Sequence, residues 1–105
     1  MTYDDFTAII KQVDFPTYEA DFPKSKTPPV VVFQKGVDKS VHVDGIVVYR
    51  QEEVIINLCT TRTDTSSRRK LEKLLLEKSL SFAMKDSYWI SDESFYITEY
   101  RGYLK

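Results

Sequence analysis

One cysteine, one histidine and three glycines in 105 residues leave several classes of chemistry without their usual parts. With Cys59 alone there is neither a disulfide framework nor a thiolate zinc site, and a reducing environment is expected. His42 has no second histidine or cysteine to help complete the three or four ligands that zinc sites use, so it reads as an ordinary loop or interface residue. No Gly-rich phosphate loop, serine nucleophile elbow or thiol motif is present. Glu52 and Glu53 are adjacent, which sends their side chains to diverging sides, whereas acid–base pairs need facing carboxylates. The chain is therefore read as non-enzymatic, with no catalytic, metal or cofactor site.

Charge of one sign is also lacking. Fifteen basic residues against sixteen acidic ones give a net charge of −1, which argues against a dedicated DNA binder relying on clustered Lys and Arg. Long apolar runs are missing too. Met1 to Val13 carries Asp4 and Asp5, so this segment is expected to be neither a signal peptide nor a membrane helix, and the protein is expected to be made in the cytosol. What the chain does have is aromatic side chains: seven Tyr, six Phe and one Trp. Tyrosine is favoured where one end is buried and the other wet, interfaces included.

At this length, with 42% hydrophobic residues, one core is expected and residues 1–105 form a single domain. Thr2 with Asp5 three positions on predicts an N-cap, and Phe6, Ile9, Ile10 and Val13 recur at helical spacing, giving a helix from about Tyr3 to Val13. Asp14 to Thr27, broken by Pro16 and Pro23 and leading to Pro28 and Pro29, is expected to be largely irregular. Val30 to Phe33 reads as a buried strand. Gly36 to Asp44 is expected to be a polar loop. Ile46 and Val48, then Val54, Ile56 and Leu58, read as two strands of a hairpin turning at Gln51 to Glu53. Thr63, Asp64 and Thr65 offer capping oxygens to a second helix, about Ser66 to Ser79, with Leu71, Leu74 and Leu75 on its sheet face. Ser81 to Ile90 and Phe95 to Tyr103 read as two further strands joined by Ser91, Asp92 and Glu93. The expected fold is α+β: helix, three strands, helix, two strands, in an antiparallel or mixed sheet with helices on one face.

Two groups of side chains point to contact with a partner. Arg68, Arg69 and Lys70 open the second helix, where positive charge opposes the helix dipole, and arginines suit bidentate recognition of carboxylates or phosphates. Trp89, Tyr96 and Tyr100 belong to the aromatic C-terminal quarter. Strand alternation sends some of these rings outward, where protein contact is favoured over base stacking because Lys and Arg do not interleave with them.

Taken in order, PPVVVF at Pro28 to Phe33, VDGIVVY at Val43 to Tyr49, VIINLCTTRTD at Val54 to Asp64 and WISDESFYITEY at Trp89 to Tyr100 form a longer pattern. It resembles the small tail-completion proteins of long-tailed bacteriophages, also called head-to-tail joining or tail-terminator proteins. The matching positions are Asp44 and Tyr49, then Leu58, Thr60 and Asp64, then Trp89, Glu93 and Tyr96. Cys59 departs from the aromatic residue often found at its place, and nothing before Pro28 matches. The resemblance implies a virion subunit forming a ring, of six copies, on the head-proximal end of the tail tube, with the tail-tube protein and a neck or head-completion protein as partners. No specific nucleic acid and no membrane are expected as partners, from the charge balance and the lack of long apolar runs. Asp44, Tyr49, Arg68, Arg69, Trp89, Tyr96 and Tyr100 are the candidate interface residues, although Asp44 and Asp64 equally suit a turn and a helix cap. The alternative is a small cytosolic module that binds protein or single-stranded nucleic acid.

Overall fold

The computed structural model describes residues 2–20, 28–36, 39–80, 82–90 and 95–104. The chain is α+β, with two helices and a mixed sheet. Helix α1, Tyr3–Ile10, begins on a reciprocal cap. The Asp5 amide donates to Thr2 Oγ1 at 3.1 Å, and the Thr2 amide donates to Asp5 Oδ2 at 3.2 Å. These bonds hold the Asp5 carboxyl below its ordinary range. The helix ends earlier than expected, at Ile10, although Val13 is still buried.

Strand β1, Thr17–Glu19, lies inside the segment expected to be irregular. It runs parallel to β2, Val30–Lys35, and the contact is extended when the Val31 amide donates to the Pro16 carbonyl and the Ala20 amide to the Phe33 carbonyl. A proline preceding the strand does not prevent this, because only its carbonyl is used. The rest of the expected irregular stretch, 21–27, lies outside the described residues, as do 91–94 between the last two strands.

The expected hairpin at Gln51 to Glu53 does not exist. Ile46–Thr60 is one continuous 15-residue strand, β4, and the turn falls earlier, at Asp44–Gly45, after β3, Lys39–Val43. Asp44 and Gly45 have φ of 52° and 76°, the two positive values that a two-residue type I′ turn requires. The segment expected to be a polar loop thus contains a paired strand. Glu52 and Glu53 sit on opposite faces of β4: Glu53 pairs with Arg101 on the face away from the helices, whereas Glu52 is on the helix side, where its Oε2 is buried with no hydrogen-bond partner among the described residues.

Helix α2, Ser66–Glu77, crosses from β4 to β5, Phe82–Ile90, which pairs with β6, Phe95–Leu104. The main sheet has the order β1-β2-β4-β6-β5. All contacts except β1–β2 are antiparallel, so β4 and β5 run parallel to each other with β6 between them. Both helices cover one face. Phe6 and Ile10 of α1 and Leu71 and Leu75 of α2 pack on Val31, Phe33, Val54, Ile56, Leu58, Tyr100 and Leu104. Leu74 is only partly buried. The opposite face has a smaller cluster of Val30, Val32, Cys59 and Ile97.

Pairing along β4 divides it in two. Contact with β2 stops at Val54 and contact with β6 at Glu52, so Ile46–Gln51 is paired with β3 alone. This two-stranded arm extends past the main sheet. The radius of gyration is 15.0 Å and the molecule measures 51 × 28 × 21 Å. A compact chain of this length has a radius of gyration of about 13 Å.

Candidate functional site

At the end of β4 away from the arm, the chain leaves the sheet at Thr60 and enters α2 through residues 61–65. Asp64 organises this junction. Its carboxylate accepts from the Ser67 amide at 3.1 Å, from Ser67 Oγ at 2.7 Å and from Ser66 Oγ at 3.1 Å. The bonds from Ser67, with the smaller contribution of Ser66, hold the Asp64 carboxyl below its ordinary range. Thr65, at the formal cap position, makes no side-chain cap bond. Asp64 supplies both the acceptor and the negative charge that the first turn, Ser66 to Arg69, lacks.

A cavity of about 280 Å³ opens beneath this junction on the helix-covered face. Thr60, Thr98 and Ser87 share that face across β4, β6 and β5, with Ser87 Oγ 3.4 Å from Thr98 Oγ1. Tyr96 and Thr61 also line the cavity, and Arg62 and Arg68 bring positive charge to it. Trp89 lies directly across from Tyr96, with ring centroids 5.1 Å apart, and the Arg62 guanidinium sits 5.4 Å above the Trp89 ring. This is a cation–π arrangement.

Arg68 is held by Glu72 one turn further along α2, with Nε 3.2 Å from Oε1. The same carboxylate oxygen accepts from the Tyr100 hydroxyl at 2.9 Å. Hydrogen bonding to Glu72 raises the Arg68 pKa; burial, followed by the Glu72 carboxylate, pushes the Tyr100 hydroxyl up. Lys70 reaches Asp14 at 3.5 Å. Among the described residues, Arg68 and Lys70 of the basic first turn have local partners, and Arg69 is exposed on the helix surface.

The seven candidate interface residues separate into distinct places. Arg68 and Tyr96 line the cavity, and the Trp89 ring packs against Tyr96 at a tilt of 54°. Asp44 is exposed at the tip of the arm; Tyr49 belongs to the arm segment of β4, opposite Val41, and its side chain lies outside the described residues. Tyr100 corrects the expectation of an outward ring. It is 3% exposed, faces the helices beside Ile56, and belongs to the core. Alternation along β6 is the reason: Tyr96, Thr98 and Tyr100 share the face that α2 covers.

The sequence reading missed Arg62 and the trio of hydroxyls. The period-2 alternation of β5 and β6 carries part of that signal, because it puts Ser87 with Trp89 and Thr98 with Tyr96. Glu93 and the side chain of His42 lie outside the described residues. Among the described residues, no three His, Cys, Asp or Glu are grouped to hold a metal ion, and no helix is long and apolar enough to cross a membrane.

The opposite face of the sheet has its own polar network. Arg101 bridges Glu53 at 3.6 Å and Glu99 at 3.0 Å, and Gly36 lies so close to the Glu53 side chain that a Cβ there would collide with it. Compared with models of known protein families and with curated proteins, the chain matches none.

Proposed function

We propose that this chain is a non-enzymatic structural subunit of a long-tailed bacteriophage virion, located at the head–tail interface. It caps the head-proximal end of the tail tube as a ring of six copies and joins tail to head. The resemblance of the four segments to tail-completion proteins motivates the reading. The observation that carries it is the separation of two unlike surfaces by β4: an arm tip at Asp44–Gly45 and, near Thr60, the cavity lined by Arg62 and Tyr96 with Trp89 beside them. At about 3.3 Å per residue these ends lie about 45 Å apart along the strand. A joining protein has to grip two partners at once, and a subunit with different chemistry at opposite ends suits that task. The tail-tube protein and a neck or head-completion protein are the proposed partners.

The test is electron microscopy of lysates from the phage or prophage carrying the gene, with the gene deleted and then restored. Filled heads beside unattached or overlong tails, rescued by restoration, are the expected result. Normally joined virions from the deletion would overturn the proposal.

One observation favours a second reading, a cytosolic module binding protein or single-stranded nucleic acid. Arg62 lies over Trp89, whose ring meets Tyr96 at a tilt of 54°, and a cation beside paired aromatic rings is the kind of surface that takes up an unpaired base. Oligonucleotide binding that weakens steeply with salt would favour this second reading, whereas concentration-dependent assembly without nucleic acid would favour the ring.

A further inference from the structure

The main sheet ends in two strands that each have one neighbour among the described residues. At one end β5 pairs only with β6; at the other, β1 pairs only with β2. A strand edge presents a row of backbone donors and acceptors that another strand can satisfy, and monomeric proteins usually blunt such edges with proline, charge or bulges. β5 has no proline in its nine residues; its charges, Lys85 and Asp86, are confined to the bulge, and Ser87–Ile90 after it are uncharged and in regular register.

The exposed large apolar side chains among the described residues sit at these same two edges. Tyr18 is on β1, and Met84 and Tyr88 are on β5, with Leu76 of α2 lining the groove beside Met84. Register places Tyr18 and Tyr88 on one face. Tyr18 is opposite Val32, Tyr88 is opposite Ile97, and both partners belong to the cluster on the face away from the helices.

Strand direction supplies the next step. β1 runs with β2, β2 against β4, β4 against β6, and β6 against β5, so β1 and β5 run in opposite directions. Copies arranged side by side with a common orientation, as rotation about a ring axis demands, bring β5 of one against β1 of the next as antiparallel neighbours. From this we infer that the interface between copies is heterologous edge pairing, β5 of one copy to β1 of its neighbour, with Tyr88 and Tyr18 of adjacent copies meeting on the same face. The inference rests on the ring reading and assigns its subunit contact. A β1 of only three residues limits the contact, so assembly is expected to depend on concentration or on a tail to build upon.

Two exposed positions make this testable with a short bis-maleimide. Tyr18→Cys and Tyr88→Cys are made separately and together, with the wild-type chain, whose Cys59 is buried, as the background control. Cross-linking is carried out on the purified protein at its highest soluble concentration and on tails purified from lysates. Circular dichroism matching the wild type verifies that each variant folds. Dimers from a mixture of the two single variants, little from either alone, and a ladder from the double variant are the expected results. Efficient dimers from Tyr88→Cys alone would overturn the inference in favour of a two-fold contact, and no cross-link in either setting would overturn it outright. The deletion phenotype separates the two claims. Unjoined heads and tails without cross-links would remove only the edge pairing, whereas a ladder with normally joined virions would keep the pairing and remove the tail role.

Discussion

The two halves of β4 are one strand held by very different amounts of structure. Glu52–Thr60 has β6 on one side, with β2 reaching Val54, and its Val54, Ile56 and Leu58 side chains lie under the helices. Ile46–Gln51 has β3 alone. A two-stranded hairpin is marginal in water without further packing, so the arm depends on its turn and on the rigid strand it grows from. Stability belongs to one half, and reach to the other. For a protein proposed to join two bodies, that division separates what keeps the fold from what meets the partner.

Breaking the packed half should have the largest effect. Leu58 is fully buried between the helices and the sheet, so Leu58→Ala is expected to lower stability by about 3 kcal/mol, measured by denaturant unfolding. Hydrogen exchange would sharpen the comparison without a mutation: amides of residues 46–51 are expected to exchange about 100-fold faster than those of 54–60 in the free protein. Equal protection would show that the arm is as firmly held as the core.

Gly45→Val places a branched side chain at positive φ and is expected to cost the arm about 1–2 kcal/mol, seen as faster exchange in 46–51 while the core unfolding midpoint is unchanged. At the far end, Asp64→Ala removes the acceptor of the Ser66 and Ser67 bonds and is expected to cost about 1 kcal/mol. That contribution has a pH dependence. The folded Asp64 pKa is lowered, so its stabilisation is present above the unfolded value of about 4 and is lost as pH falls through the folded value. Wild type and Asp64→Asn should therefore converge in stability in acid and differ above pH 5 or so. A constant difference across that range would remove Asp64 as the source.

Much of the packed half was legible in the sequence, because local chemistry and tertiary structure agree there. The Thr2–Asp5 cap, the buried Val30–Phe33 run, Asp64 ahead of α2 and the Leu71–Leu75 face all stand where residue type and spacing put them. The arm is not legible by polarity, because polar residues in a strand look like a turn. Gln51, Glu52 and Glu53 interrupt the apolar alternation, yet a strand tolerates them where one side chain pairs with Arg101 across the sheet and the neighbouring segment is an arm. Asp44–Gly45 between Val43 and Ile46 was the stronger signal, since Asp-Gly supplies the positive φ that a two-residue hairpin demands. β1 escaped notice because three residues beside Pro16 carry too little pattern. Of the candidate site, the sequence names Arg68, Trp89 and Tyr96 but does not bring them together, and it leaves the face of Tyr100 open because strand alternation alone does not say which face a helix will cover.

If the arm docks a partner, it should be separable from the fold. The most direct test is electron microscopy of lysates in which the deleted gene is replaced by a version carrying an Asn-Gly turn in place of residues 39–50, with unfolding of the purified variant measured alongside. The expected protein folds with core stability near wild type but leaves filled heads and tails unjoined. Normally joined virions from a chain without its arm would contradict a docking role for it.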